Sequence, residues 1–242
     1  MARAVFEGQT LKKEVERNER KGESGICRIQ KRIGNHGYQT VGSGSLIKHQ
    51  IDPKWKSEYF IVTTKEVFEG DFDVKNYRVD FVTSGSKLKT IKLHGAVVDD
   101  EILPYPSGLA LILLDPNSSL VRHGLFGKNT CSILTYRPFE VESFNNVNTR
   151  DDTFANGLCC YMVADYASST SFGVKLHELT RDSHGQYVVR NLRGHDVPPG
   201  AAILRKVATK WNAVGVFSST SDTSLPIWLS KENLDANFRP GE

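Results

Sequence analysis

The sequence lacks the features that mark membrane and secreted proteins. No apolar run in its 242 residues approaches the roughly 20 residues that a membrane-spanning helix needs. Its first residues, MARAVFEG, contain no apolar core of a secretory signal peptide. We therefore expect an intracellular, cytoplasmic protein that does not insert into membranes.

Cysteine is also scarce. The four cysteines are Cys27, Cys131, Cys159 and Cys160, and they show neither Cys-x-x-Cys spacing nor the paired positions of a disulfide framework. Cys159 and Cys160 are adjacent in an apolar run, so on a strand they would point to opposite faces. We expect buried free thiols, and the sequence indicates neither a metal site nor a cofactor.

The charge balance is small. A net charge of +3 is too low to imply a nucleic-acid partner by itself, so a nucleic-acid partner is not favoured. Residues 1–24 are dense in charges of both signs and predict a solvated helix or a tail. If the protein did bind nucleic acid, the basic residues that would serve are Arg3, Lys12, Lys13, Arg17, Arg20, Lys21, Lys31 and Arg32.

The rest of the chain is a succession of short strands separated by turn residues, which predicts an all-β protein. Residues 109–114 form a continuous apolar run, typical of a strand with both faces covered. We assign a first set of strands to residues 25–115, a polar crossover to 116–127 and a second set to 128–218. Residues 219–242 predict a C-terminal helix capped by Ser230, and a hairpin is expected around Trp211 and Asn212.

Five motifs in order resemble the trypsin/chymotrypsin-like serine protease family, over residues 27–238 and closest to its intracellular, high-temperature-requirement-like branch. They are GSGSLI at 42–47, IVTTKEV at 61–67, GLALI at 108–112, GAAIL at 200–204 and AVGVF at 213–217. The resemblance implies two six-stranded antiparallel β-barrels, one for each set of strands.

The same resemblance implies a degenerate catalytic triad. The slots for histidine, aspartate and serine hold Glu66, Gly108 and Pro199. The triad needs a hydroxyl nucleophile, an imidazole base and an orienting carboxylate. No histidine occurs between His49 and His94, and no serine or cysteine between Ser183 and Ser218, so a shifted alignment restores neither group.

The family's oxyanion hole fails on separate grounds. Its two N–H donors would come from Pro199 and Val197. Proline has no N–H, and the residue before a proline is pushed towards extended backbone. Losing one such donor typically costs on the order of a hundredfold in rate.

Four other groups could carry chemistry. His184 and His195 could be a relocated base, but solvated loop histidines are expected because neither has a candidate nucleophile assigned beside it. The acidic pairs Asp99-Asp100, with Glu101, and Asp151-Asp152 lack the alternating oxygen ligands of a calcium loop, and we expect exposed loops.

The sequence therefore favours a non-catalytic, trypsin-like pseudoprotease that binds a protein or peptide. The resemblance suggests that a peptide adds as a strand along Ala213, Val214, Gly215, Val216 and Phe217. The alternative is a divergent serine endopeptidase with a rewired site.

Overall fold

The computed structural model describes residues 25–35, 37–48, 57–82, 88–125, 139–140, 158–164, 172–181, 183, 187–189, 197–207, 210–219, 224–230 and 233–234. Within them lie fourteen strands, two short 3₁₀ helices and one short α-helix. The expectation of an all-β protein is confirmed.

Eight strands form the first sheet. They are β1 (Ile26–Ile33), β2 (Gly37–Lys48), β3 (Tyr59–Thr64), β4 (Tyr77–Val82), β5 (Leu88–Lys92), β6 (Val97–Pro104), β7 (Leu109–Leu114) and β8 (Phe139–Glu140). Seven of them pair antiparallel in the order β5-β4-β1-β2-β3-β7-β6, and β8 pairs parallel with β2. This sheet curls into a half-barrel.

The helical segments are short. The 3₁₀ helices span Lys65–Phe68 and Val74–Asn76, between β3 and β4. Helix α1 (Ser119–Gly124) follows β7, inside the segment that the sequence predicted to be a crossover. No helix in the described part of the chain is long and apolar enough to cross a membrane.

Six strands form the second sheet. They are β9 (Leu158–Ala164), β10 (Phe172–Arg181), β11 (Tyr187–Val189), β12 (Ala202–Val207), β13 (Lys210–Ser219) and β14 (Ser224–Trp228). The order is β11-β10-β9-β12-β13-β14, antiparallel throughout.

Both sheets contain a Greek key with the same connections. In such a key three consecutive strands are followed by a fourth that returns beside the first, which gives the spatial order 4-1-2-3. The first sheet shows β4-β1-β2-β3, and the second shows β12-β9-β10-β11. In each sheet the next strand, β5 or β13, then lies beside the returning one. The two sheets therefore share a five-strand order.

The core of the first sheet follows the alternation of apolar and polar residues along its strands. Cys27 and Ile29 of β1 point inward with Val79 and Phe81 of β4, whereas the intervening residues point to the other face. Strand β7 is different because all six of its residues are buried. The prediction that both faces of residues 109–114 are covered is confirmed.

Several boundaries differ from the sequence-based expectation. Trp211 and Asn212 are not in a turn, since they pair with Lys206 and Arg205 and the chain reverses between Val207 and Lys210. Strands β4 and β14 were not predicted. Charged residues interrupt the first, and Pro226 lies in the middle of the second.

Ser230 makes the hydrogen bonds expected of a residue that caps the start of a helix. The Ser230 hydroxyl oxygen accepts a hydrogen bond from the Asn233 N–H at 3.2 Å, and the Leu234 N–H donates to the Ser230 carbonyl at 3.0 Å. The predicted N-terminal helix or tail lies outside the described residues, as do residues 235–242 of the predicted C-terminal helix.

Candidate functional site

Glu66 lies where β3 gives way to a 3₁₀ helix. The next two residues, Val67 and Phe68, are buried and anchor this helix to the core of the first sheet. Glu66 itself is half-buried. Its side chain is therefore held by the sheet but reaches beyond it, towards the second sheet.

The Glu66 carboxylate binds the end of β13. It accepts a hydrogen bond from the Ser218 hydroxyl and another, of 2.9 Å, from the Ser219 N–H. Pairing between β12 and β13 stops just before this point, with the Phe217 N–H donating to Ala201 at 2.8 Å. Phe217 and Ser219 direct their N–H groups to the same side because they are alternate residues of a strand. Since β12 begins only at Ala202, opposite Val216, the Glu66 carboxylate and not β12 accepts the Ser219 N–H.

Pro199 forms part of a turn that docks on the first sheet. Its carbonyl accepts a 2.9 Å hydrogen bond from the Ser43 N–H. Gly200 follows with φ of 77°. A Cβ there would lie 2.1 Å from the Ser43 backbone carbonyl oxygen and 2.2 Å from Thr63 Oγ1. The Thr63 hydroxyl in turn donates a 2.7 Å hydrogen bond to the same Ser43 carbonyl oxygen. This contact leaves no room for any residue other than glycine.

Gly108 lies against the 3₁₀ helix Lys65–Phe68, which carries Glu66. Its carbonyl accepts a 2.9 Å hydrogen bond from the Lys65 N–H, next to Glu66 in the chain. A Cβ at Gly42 would lie 2.5 Å from the Val67 side chain and 2.8 Å from the Pro199 oxygen. Through these neighbours the fold brings the segments that carry Glu66, Gly108 and Pro199 together.

Val197, the residue assigned to the second oxyanion donor, is buried and only 1% exposed. Pro198 follows it and is also buried, and its carbonyl accepts a 3.1 Å hydrogen bond from the Ala201 N–H. The turn that carries Pro199 is therefore closed by its own backbone bond as well as by the first sheet.

Hydroxyl groups are present around Glu66, but none is paired with an imidazole in the described part of the chain. The Ser43 hydroxyl donates to the Cys27 carbonyl at 3.1 Å, and the Ser218 hydroxyl donates to Glu66. His94 instead lies 3.0 Å from Asp100, and His123 is exposed on α1. His184 and His195 lie outside the described residues.

Strand β13 does not offer the open edge that the sequence predicted. Ala213, Val214, Gly215, Val216 and Phe217 are all buried, and the strand lies between β12 and β14. A peptide cannot add along these residues without displacing one of the two neighbours. The expectation failed because β14 was not recognised as a strand.

Asp99, Asp100 and Glu101 are exposed, as expected, but they lie in strand β6 and not in a loop. Asp99 and Asp100 have φ of 56° and 53°, and the Asp100 carboxylate accepts a 2.7 Å hydrogen bond from the Gly95 N–H. Across the described ranges, no three His, Cys, Asp or Glu side chains gather as a metal site. Asp151 and Asp152 lie outside those ranges.

A buried ion pair was missed by sequence reasoning. Arg28 and Asp80 are 2% and 1% exposed, with 2.7 Å between Arg28 Nε and Asp80 Oδ2. Thr90 donates to the other carboxylate oxygen at 2.6 Å. Burial, and next the nearby Asp80 carboxylate, raise the pKa of the free Cys27 thiol. The alternation of β4 was the signal that could have located Asp80.

Comparisons with known proteins identify no family. The sequence matches no protein-family model, and no curated protein matches it at a significant level.

Proposed function

We propose that the chain has the double-barrel architecture of trypsin-like proteases, with a first barrel built from β1–β7 within about residues 25–115 and a second built from β9–β14, which extends beyond the expected boundary at residue 218 to Trp228. The repeated Greek key supports this proposal. In each sheet, strands from opposite ends of the strand order approach each other, as they do in a closed barrel. In the second sheet β11 lies next to β14. In the first sheet a β-bridge joins Glu101 of β6 to Asp73, in the segment that precedes β4. Free Cys27 fits an intracellular location.

Within that fold we propose a catalytically inactive protein that binds a protein or peptide. The proposal rests on one observation, which is that the Glu66 carboxylate accepts hydrogen bonds from Ser218 and Ser219. An active site of this family needs an unprotonated imidazole that can take a proton from a hydroxyl. Here a carboxylate fills that position, and its two oxygens are bound by Ser218 and Ser219.

The nucleophile position supports the same conclusion. Pro199 has no hydroxyl and no N–H, and its carbonyl is committed to Ser43. Gly200 locks the turn in place because its contacts with Ser43 and Thr63 leave no space for a Cβ. The turn therefore serves as a contact between the two sheets.

The end of β13 at Ser218 and Ser219 is where a partner would enter. Among the described residues, its β12 side is occupied by the Glu66 carboxylate and not by another strand. A peptide main chain would compete with that carboxylate for the Ser219 N–H. Removal of the carboxylate should therefore increase peptide affinity.

An active-site probe tests the loss of catalysis. We expect a fluorophosphonate probe to leave the protein unlabelled under conditions in which trypsin is fully labelled, and the Ser218→Ala variant to behave identically. Stoichiometric labelling of Ser218, lost in Ser218→Ala, would instead establish a divergent serine hydrolase that uses a rewired site.

Peptide selection tests binding. Peptides from a displayed library should bind Glu66→Ala several-fold more tightly than the unmodified protein, because they no longer compete with the carboxylate. Glu58→Ala is the matched control, since Glu58 forms only an exposed ion pair with Lys48. Equal affinity for all three proteins would contradict a binding site at Ser218 and Ser219.

A further inference from the structure

The face of the first sheet opposite its core carries an unbalanced set of cations. Antiparallel pairing places Lys92 of β5 directly opposite Arg78 of β4, and Arg78 opposite Gln30 of β1. Like charges directly opposite each other destabilise a sheet. A pair that breaks this rule without local compensation is expected at a functional site.

No carboxylate on the described residues of β1, β2, β4 and β5 compensates for the pair. On β1, β2, β4 and β5, the acidic side chain that points to this face is Asp80, and its two oxygens are taken by Arg28 and Thr90. Arg32 adds another exposed cation two residues beyond Gln30. Lys31 does not belong to the set, because it points to the other face and pairs with Glu69 and Asp71.

The guanidinium group of Arg78 is held in place. It stacks on the Tyr38 ring, 3.9 Å from the ring centroid, and Nε donates a 2.8 Å hydrogen bond to Gln30 Oε1. Gln30 is itself bonded to Thr40 at 3.4 Å. These contacts fix the plane of the guanidinium group and commit only Nε, so the terminal nitrogens can form the bidentate pair that arginine makes with phosphate.

We propose that Arg32, Tyr38, Arg78 and Lys92 form a binding surface for single-stranded nucleic acid on β5-β4-β1-β2. With strands about 4.8 Å apart, the surface is about 14 Å wide. Single-stranded nucleic acids lie across sheet faces of this kind, with phosphates on cations and bases stacked on aromatic rings or guanidinium planes. Clusters of arginine also bind acidic peptides, but the aromatic ring of Tyr38 among these cations favours nucleic acid, whose bases stack on such rings.

This surface differs from the basic residues that the sequence suggested. Most of those are N-terminal, and Lys31 is already neutralised. Only Arg32 is common to both sets. The proposal rests on residues that pairing between strands brings together, and it is independent of the site around Glu66.

The test is fluorescence anisotropy of labelled oligo(dT) and oligo(U) with the full chain over a series of salt concentrations. Both should bind with salt-dependent affinity, and duplex DNA and polyglutamate should compete poorly. Lys92→Ala and Arg32→Ala should each reduce the slope of log K against log salt by about 0.7, the value for one phosphate contact on a single strand. Both side chains are exposed, so thermal midpoints should not change.

Two variants sharpen the result. Arg78→Lys keeps the charge but loses the planar group, so the salt slope should persist while affinity falls on the order of tenfold. Lys48→Ala removes one charge at the far end of β2 and should have no effect. The proposal is overturned if no salt-dependent binding occurs, if polyglutamate or duplex competes equally, or if Lys48→Ala weakens binding as much as Lys92→Ala.

Discussion

The hydroxyl of Ser218 donates a hydrogen bond to the carboxylate of Glu66, across 152 positions of the chain. The adjacent Ser219 N–H binds the second carboxylate oxygen. These bonds join the helix after β3 to the last residues of β13. Glu66 therefore links the two sheets at the point where the sequence motifs had suggested a lost catalytic base.

Loss of this link should lower stability. Hydrogen bonds to charged groups contribute about 1.5–3 kcal/mol when buried. Because Glu66 is half-buried, we expect Glu66→Ala to reduce the free energy of unfolding by about 2 kcal/mol and Ser218→Ala by about 1 kcal/mol. Urea denaturation of both variants and the double variant should give a coupling energy of about 1 kcal/mol.

The control for this comparison of single and double variants is Glu58→Ala. Glu58 pairs with Lys48 at 3.2 Å, but both side chains are more than 40% exposed. Such exposed pairs contribute less than about 1 kcal/mol. If Glu58→Ala costs as much as Glu66→Ala, or if the coupling energy is zero, the link does not stabilise the fold.

Gly200 and Gly70 provide a matched pair of backbone substitutions. Their φ values are 77° and 79°, but a Cβ at Gly200 meets Ser43 and Thr63 whereas a Cβ at Gly70 meets nothing within 4 Å. Gly70→Ala should cost about 1–2 kcal/mol, the cost of the left-handed conformation alone. Gly200→Ala should cost about 4 kcal/mol or more.

Chemical denaturation measures the difference. Similar losses for the two alanine variants would show that the turn around Pro199 can move away from the first sheet. The docking of this turn would then be too loose to hold the site together.

The buried Arg28–Asp80 pair should be costly to break. Asp80→Asn removes the carboxylate that faces a fully buried guanidinium group, and the expected loss is about 3 kcal/mol. Glu69→Gln is the control, because Glu69 is 72% exposed and lies 3.7 Å from Lys31. A loss below about 0.5 kcal/mol for both variants would show that the pair is solvated.

Cys27 should resist thiol reagents in the native protein. Its thiol is buried, and burial together with Asp80 raises its pKa above the ordinary value of 9.0. The reactive thiolate is therefore scarce near neutral pH. Peptide mass mapping after maleimide treatment should find Cys27 unmodified until denaturant is added, and rapid native labelling would show that β1 opens readily.

The same shift predicts a pH dependence. The folded protein holds the Cys27 proton more tightly than the unfolded chain, so this contribution to stability is complete below pH 9.0 and is lost as the pH rises above it. Cys27→Ala, which has no thiol, should show a smaller decrease of unfolding free energy between pH 8 and pH 10. An identical decrease in both proteins would exclude Cys27 as its source.

The strands that could be predicted are those with an uninterrupted apolar signal. Residues 109–114 are one example, and both their extent and their burial follow from six consecutive apolar residues. β14 could not be found in the same way because Pro226 interrupts it. Proline is tolerated there because β14 ends the strand order of the second sheet.

The consequence of missing β14 extended to the site. If β14 is not recognised, β13 has one edge without a neighbouring strand, and the sequence then predicts that a peptide adds along Ala213 to Phe217. The structure pairs Val216 with Ile227 of β14 and with Ala202 of β12. One unrecognised strand thus changed the interpretation of five residues, although their own sequence had correctly indicated a strand.

The sequence by itself determined the alternation that makes this protein all-β, and it determined which chemical groups stand at positions 66, 108 and 199. Tertiary structure alone decided that Glu66 binds Ser218 and Ser219 and that Arg78 stands opposite Lys92. The reason is physical. Periodicity reports which face of its own strand a residue occupies, whereas a hydrogen bond or a charge pair between distant segments depends on strand order and register.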